Sequence, residues 1–221
     1  LDKSGRPNIV YIEGMDTKGN RRKRVIDNFC DLRATVAFIG DEWHLLTACD
    51  CTTMPGKKAM IDAHINGLPG AAVLCDGYHQ NVWLLGWHRP EKYGHKHPAL
   101  RQAMVTSYSR EMNDNWVRDD SFRGNGIRFL NQHGANKDKI TFKINTWSGG
   151  CLVASDWSEH LEFIYVLAYW EAYGWYQPEK YPFESNPTLD HVNALIEISI
   201  ARKRRMYWST TIISEKNYWD A

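Results

Sequence analysis

The chain has 221 residues, enough for one domain with a small appendage, and 43% of them are hydrophobic, so it can bury a real core and is not a disordered protein. Its 27 basic and 26 acidic residues nearly balance, which argues against a nucleic-acid or anionic-membrane partner. The two basic clusters, Arg21–Arg24 and Arg202–Arg205, read as solvated faces, and no apolar run reaches transmembrane length. Leu1 to Pro7 is polar and has no apolar leader core. Five cysteines, at 30, 49, 51, 75 and 151, cannot all pair, and their spacing is not that of a disulfide framework. Synthesis in a reducing compartment is therefore expected.

In chain order, Asn8 to Gly14 predicts a short buried strand, and Asp16 to Arg24 a polar loop. Leu32 to Ile39 and Glu42 to Ala48 predict a hairpin around Gly40-Asp41. Cys49 to Lys58 is read as irregular, with a turn at Thr53-Met54-Pro55-Gly56. Ala71 to Leu74 and Val82 to Trp87 are strand-like, and His88 to Pro98 is read as a loop. Leu100 to Met112 fits a helix or a strand equally. Arg123 to Gly126 is read as a turn, Ile127 to Asn131 as a strand leading into His133, and Lys139 to Ile144 as a returning strand.

Beyond Cys151 the period changes. Asp156 and Glu159 predict a capped helix from Trp157 to Tyr173 stopped at Gly174. Gln177 to Pro187 reads as a linker, and Leu189, Val192, Leu195, Ile196 and Ile200 place an amphipathic helix within Thr188 to Met206. Strands followed by helices predict a mainly β catalytic core at 8–176 with a helical C-terminal extension at 177–221, α+β overall.

The chemistry concentrates between His133 and Cys151. A cysteine behind the small residues Ser148-Gly149-Gly150, with a histidine eighteen positions upstream, suits nucleophilic acyl transfer. Small residues admit a substrate carbonyl, and backbone N–H groups near Gly150 and Cys151 can receive the oxyanion. Each residue alone also fits a buried thiol or a satisfied core histidine. His88, His95 and His97 could form a zinc site with Asp76 or Glu91, but the spacing matches no strong template, and Cys49-x-Cys51 is too close for a zinc knuckle. No phosphate-cradling glycine loop or Gly-x-Ser-x-Gly elbow is present, and no cofactor is expected.

His133-Gly134, a gap of fourteen residues and Ser148-Gly149-Gly150-Cys151 resemble the signature of the L,D-transpeptidase (YkuD-type) family. Asn8–Met15, Asn131–His133 and Ser148–Val153 also resemble an uncharacterised group of phage and bacterial proteins with Asn-Gln-His and Ser-x-Gly-Cys motifs. The resemblance spans about residues 8–170. It implies a β-sandwich-like domain that acts on the peptidoglycan stem peptide at the bacterial wall, with Cys151 as nucleophile and His133 as base. It also implies that Gly134 orients the imidazole by its carbonyl, that Ser148 shapes the loop, and that Gly150 forms the oxyanion turn. Two positions depart from the family. Gly149 stands where the family has His, and Val153 where it commonly has Arg, which points toward a lysin-like hydrolase more than a crosslinking enzyme. Two other readings come from different classes: a zinc-dependent wall amidase or peptidase, and a non-catalytic wall- or glycan-binding module using Trp170, Trp175 and Tyr176.

Overall fold

A computed structural model describes residues 1–68, 70–111, 122–174 and 186–219. In chain order its elements are β1 (Asn8–Ile12), β2 (Asp31–Ile39), β3 (Glu42–Thr52), α1 (Lys57–Ile65), β4 (Ala71–Leu74), β5 (Gly77–Trp87), the single turn α2 (Pro90–Tyr93), β6 (Pro98–Gln102), β7 (Thr106–Glu111), β8 (Arg123–Gly126), β9 (Gln132–Gly134), β10 (Leu152–Ala154), α3 (Trp157–Tyr173), α4 (Leu189–Ala201), β11 (Tyr207–Ile213) and α5 (Glu215–Trp219). The protein is mainly β and α+β, with its long helices in the C-terminal part.

Eight strands close into a barrel in the order β1-β11-β5-β6-β9-β10-β3-β2, and β4, β7 and β8 form a separate three-stranded sheet. A closed barrel with a small satellite sheet thus stands where a two-sheet sandwich was expected. The barrel pairs are antiparallel except β1–β11 and β9–β10. The β2–β3 hairpin turns at Gly40 and Asp41, both at positive φ (56° and 71°), as a two-residue hairpin turn requires.

Inside the barrel, Ile9, Tyr11, Trp83, Leu85, Leu152 and Ala154 join Trp208 and Ile212 in one apolar cluster that α3 completes with Phe163, Ile164 and Leu167. Polar groups in this interior are matched across strands. The Tyr11 hydroxyl donates to Gln132 Oε1 at 3.1 Å, and Gln132 Nε2 donates to Thr210 Oγ1 at 2.7 Å. Arg33 lies over the Phe163 ring at 3.8 Å and donates to His160 Nδ1 at 3.3 Å. His160 in turn donates from Nε2 to the Pro98 carbonyl at 2.9 Å, so α3 is pinned to both β2 and β6. Helix α3 starts where Asp156 accepts the N–H groups of Ser158 and Glu159, and stops at Gly174 (φ 89°). It is buried on nearly every face because the barrel covers one side and α4 another. Among the described residues no helix is long and apolar enough to cross a membrane.

The structure differs from the sequence pattern at several elements. Arg123 to Gly126 is a strand and not a turn, because Gly124 is required under Tyr108, whose ring would lie 2.9 Å from any Cβ there. The segment 127–131 is irregular, and the strand is Gln132–Gly134. Lys139 to Ile144 makes only an isolated bridge (Asn28 with Lys143), and Phe142 is 77% exposed. Strand β3 runs on to Thr52, and α1 begins inside the stretch read as irregular. The ambiguous stretch from Leu100 holds β6 and β7. Of the expected helical part at 177–221, the described residues 186–219 hold the helices α4 and α5, and they also hold β11, which sits between β1 and β5 and closes the barrel. Trp170 is buried in the core, whereas Trp175, Tyr176 and most of the expected linker lie outside the described residues.

A chain ending at residue 201 lacks β11 and leaves β1 and β5 as open edges. Circular dichroism is expected to show loss of the cooperative thermal transition. A truncated chain melting like the parent would contradict the closed barrel.

Candidate active site

Parallel pairing of β9 with β10 sets Gln132 beside Leu152, His133 beside Val153 and Gly134 beside Ala154. Side chains alternate across a strand, so Gln132, Leu152 and Ala154 point into the barrel while His133 and Val153 point out. Cys151, two residues before Val153, falls on that same outer side and packs beside it. The histidine and the cysteine are therefore displayed together on one face by strand register alone.

The cysteine loop is tightly specified. Ser148 Oγ donates to the Cys151 carbonyl at 2.7 Å and accepts the Gly150 N–H at 3.2 Å. Gly150 has φ +118°, and a Cβ there would lie 2.1 Å from the Ala72 carbonyl oxygen, so only glycine fits. The Thr53–Gly56 turn buttresses the loop, with the Gly56 N–H donating to the Ser148 carbonyl at 2.8 Å. Gly149 faces open space, and nothing in the fold demands a glycine there. Ser148 takes the Gly150 N–H, while the Gly149 N–H lies toward the Cys151 sulfur, so among the described residues the N–H groups of Gly149 and Cys151 are the donors of this turn left for an oxyanion. Val153 is fully buried against Phe29, Ala135 and Ile144 and cannot reach a ligand.

His133 is buried and donates from Nδ1 to the Gly134 carbonyl at 2.8 Å. A carbonyl only accepts, so the ring proton of the neutral imidazole sits on Nδ1, and Nε2 keeps its lone pair. His97 Nε2 donates to the same carbonyl at 3.0 Å. His88 stacks on His133 with ring centroids 4.3 Å apart, and the Asn131 amide donates to His88 Nδ1 at 3.2 Å. The sequence offered no signal for this grouping. His88 and His97 stand out there only as zinc candidates, and they come from a loop more than thirty residues upstream of His133. His95 lies apart, stacked on Trp87 at 3.8 Å and 3.6 Å from Glu197. Among the described residues no three His, Cys, Asp or Glu side chains are arranged to hold a metal ion.

Burial, with the neighbouring His88 and His97 second, holds His133 well below the usual histidine range. Burial also pushes His88 down to about 4 and lowers His97. Burial raises the Cys151 thiol, although the backbone N–H groups of Asn131 and Gly149 and the Arg89 charge oppose it. The resting pair is thus a neutral thiol and a neutral imidazole. The thiol donates to the Phe129 carbonyl at 3.4 Å, and no sulfur–imidazole hydrogen bond forms among the described residues. Cys30, Cys49, Cys51 and Cys75 are buried, leaving Cys151 the half-exposed thiol of the five.

Both residues line a cleft of about 1510 Å³, larger than an ordinary small-molecule site. Trp147 and Trp157 supply apolar wall, and Lys58, Arg89, Lys92, Lys96, Arg128 and Lys137 outnumber Asp62, Asp138 and Asp190 around it. The cleft therefore favours an extended, anionic ligand. No model of a protein family matches the chain, and comparison with curated proteins and with solved structures also gives no match.

Alkylation of the folded protein by iodoacetamide is expected to modify Cys151 first, at a rate that climbs with pH past the range of an ordinary cysteine, as peptide mass mapping can follow. A different cysteine reacting first would contradict the site.

His88, His97 and His133 all have depressed pKa values, so the unfolded chain binds more protons than the native one as pH falls. The stability they supply is complete above the unfolded value near ~6.5. For His88 it is lost between there and its folded value of about 4. Melting temperature should drop steeply over that window, and less so in His88→Phe.

Proposed function

We propose that this protein is a cysteine-dependent enzyme acting on the peptidoglycan stem peptide, and that it is a hydrolase more than a crosslinking enzyme. The observation that carries the reading is the shared outward face of His133 and Cys151 in one cleft, set by the β9–β10 register.

In the proposed reaction His133 Nε2 takes the thiol proton as Cys151 Sγ attacks a peptide carbonyl carbon. The tetrahedral oxyanion is received by the Cys151 N–H. The C–N bond then breaks, the amine leaves with the proton from His133, and a thioester remains on Cys151. Water, losing its proton to His133, attacks the thioester carbonyl, and the sulfur leaves and recovers that proton. An amine in place of water would give a crosslink.

Three features favour the wall peptide and the hydrolytic outcome. The cation-rich cleft suits a peptide bearing free carboxylates, and its breadth suits a polymer-linked chain. The open space beside Gly149 leaves room for water in the cysteine loop. Val153, buried where the resembled family commonly carries Arg, removes one substrate contact, so anion recognition passes to cations such as Arg89 and Arg128.

Purified cell walls digested with the protein and resolved by mass spectrometry of muropeptides test this reading. New cleavage products are expected from the parent, none from Cys151→Ala, and a loss of about 10²–10⁴-fold in rate from His133→Gln. Unchanged muropeptides with a folded parent protein would overturn it.

A further inference from the structure

Phe129 has an energetically costly backbone that core packing does not justify. Eight described non-glycine residues have positive φ, and five of them are Asn or Asp, which tolerate it; Phe129, at φ 57°, is the aromatic one. Its ring is 72% exposed, so burial does not compensate.

The conformation is imposed from outside. The buried Gln102 accepts both flanking N–H groups through one Oε1, Arg128 at 3.0 Å and Leu130 at 2.9 Å. Its own amide is fixed by the carbonyls of Gly126 at 3.0 Å and Met104 at 3.1 Å. Trp83 Nε1 holds the Leu130 carbonyl at 2.7 Å, and Asn131 Oδ1 takes the Gln102 N–H at 2.9 Å. A strained residue fixed by so many bonds marks a place where strain is kept for a purpose. Two things result here. The Phe129 carbonyl faces the Cys151 sulfur at 3.4 Å, and its bare ring stands in the wall of the same cleft.

We propose that Phe129 is the specificity-determining residue beside the nucleophile. Its exposed ring is the apolar surface against which the side chain of the attacked residue lies, and its carbonyl parks the thiol until substrate arrives. The inference rests on Cys151 being the nucleophile. The preferred acyl group is one with an apolar side chain next to the attacked carbonyl, while the cleft cations hold its carboxylates further out.

The test needs no wall material. Full-length parent, Phe129→Gly and Phe129→Leu are treated with N-phenylmaleimide and with iodoacetamide, and the rates at Cys151 are read by peptide mass mapping alongside melting curves. The ratio of the aromatic to the small reagent's rate is expected to fall about tenfold in Phe129→Gly and to recover in part in Phe129→Leu. The iodoacetamide rate should change less than about twofold, and Phe129→Gly should melt no lower than the parent, since glycine accepts positive φ freely. An unchanged ratio, a clear drop in melting temperature in Phe129→Gly, or no reaction at Cys151 would each overturn the inference. An altered ratio together with intact muropeptides would sink the wall substrate and leave the role of Phe129 standing.

Discussion

Parallel pairing of two three-residue strands, β9 and β10, decides which way His133 and Cys151 face. The register is secured from inside the barrel. Gln132 is drawn inward by Tyr11 and Thr210, each on a different strand, and that rotation of β9 turns His133 outward. Leu152 and Ala154 in the core do the same for β10. A slip of one residue in either strand would bury the imidazole's neighbour position and expose a core side chain, so the hydrophobic interior enforces the site. The polar bonds at the barrel centre thus set the orientation of the candidate site as well as contributing to stability.

Around this pairing the electrostatics favour neutral groups. Burial disfavours protonation of His133, and the neighbouring His88 and His97 add to the effect, His97 by sharing the Gly134 carbonyl and His88 by stacking on the ring. The same burial keeps the thiol protonated. Such a site does not store a thiolate–imidazolium pair at rest; in the proposed reaction the charge is created during attack, when a substrate carbonyl and the Cys151 N–H are present to receive it. His97 contributes by sharing the Gly134 carbonyl, and His88 by stacking on the ring of His133. Both restrict the imidazole to one orientation with Nε2 free.

Local signals carried the hairpin and α3. Gly40-Asp41 could only be a tight turn, and Asp156 and Gly174 bracket the helix with a cap at each end. Long-range features were less legible. Strand β11 closes the barrel against β1 and β5, partners far away in the chain, and no local pattern around Tyr207–Ile213 reveals that role. Gly124 reads as a turn residue until Tyr108 is seen above it. Residue types marked His133, Ser148, Gly150 and Cys151, but strand register, which decides whether they share a face, is a tertiary property. The contributions of His88, His97 and Phe129 depend on loop placement and on a backbone angle, neither of which sequence pattern encodes.

The proposed chemistry rests on one sulfur, that of Cys151. Intact-mass measurement of the protein mixed with a purified stem peptide and quenched in acid tests it most directly. A transient adduct with the mass of the acyl fragment is expected, mapped to Cys151, released by hydroxylamine as a thioester is, and missing in His133→Ala. Turnover of the peptide with no adduct on Cys151, or an adduct on any other residue, would contradict it.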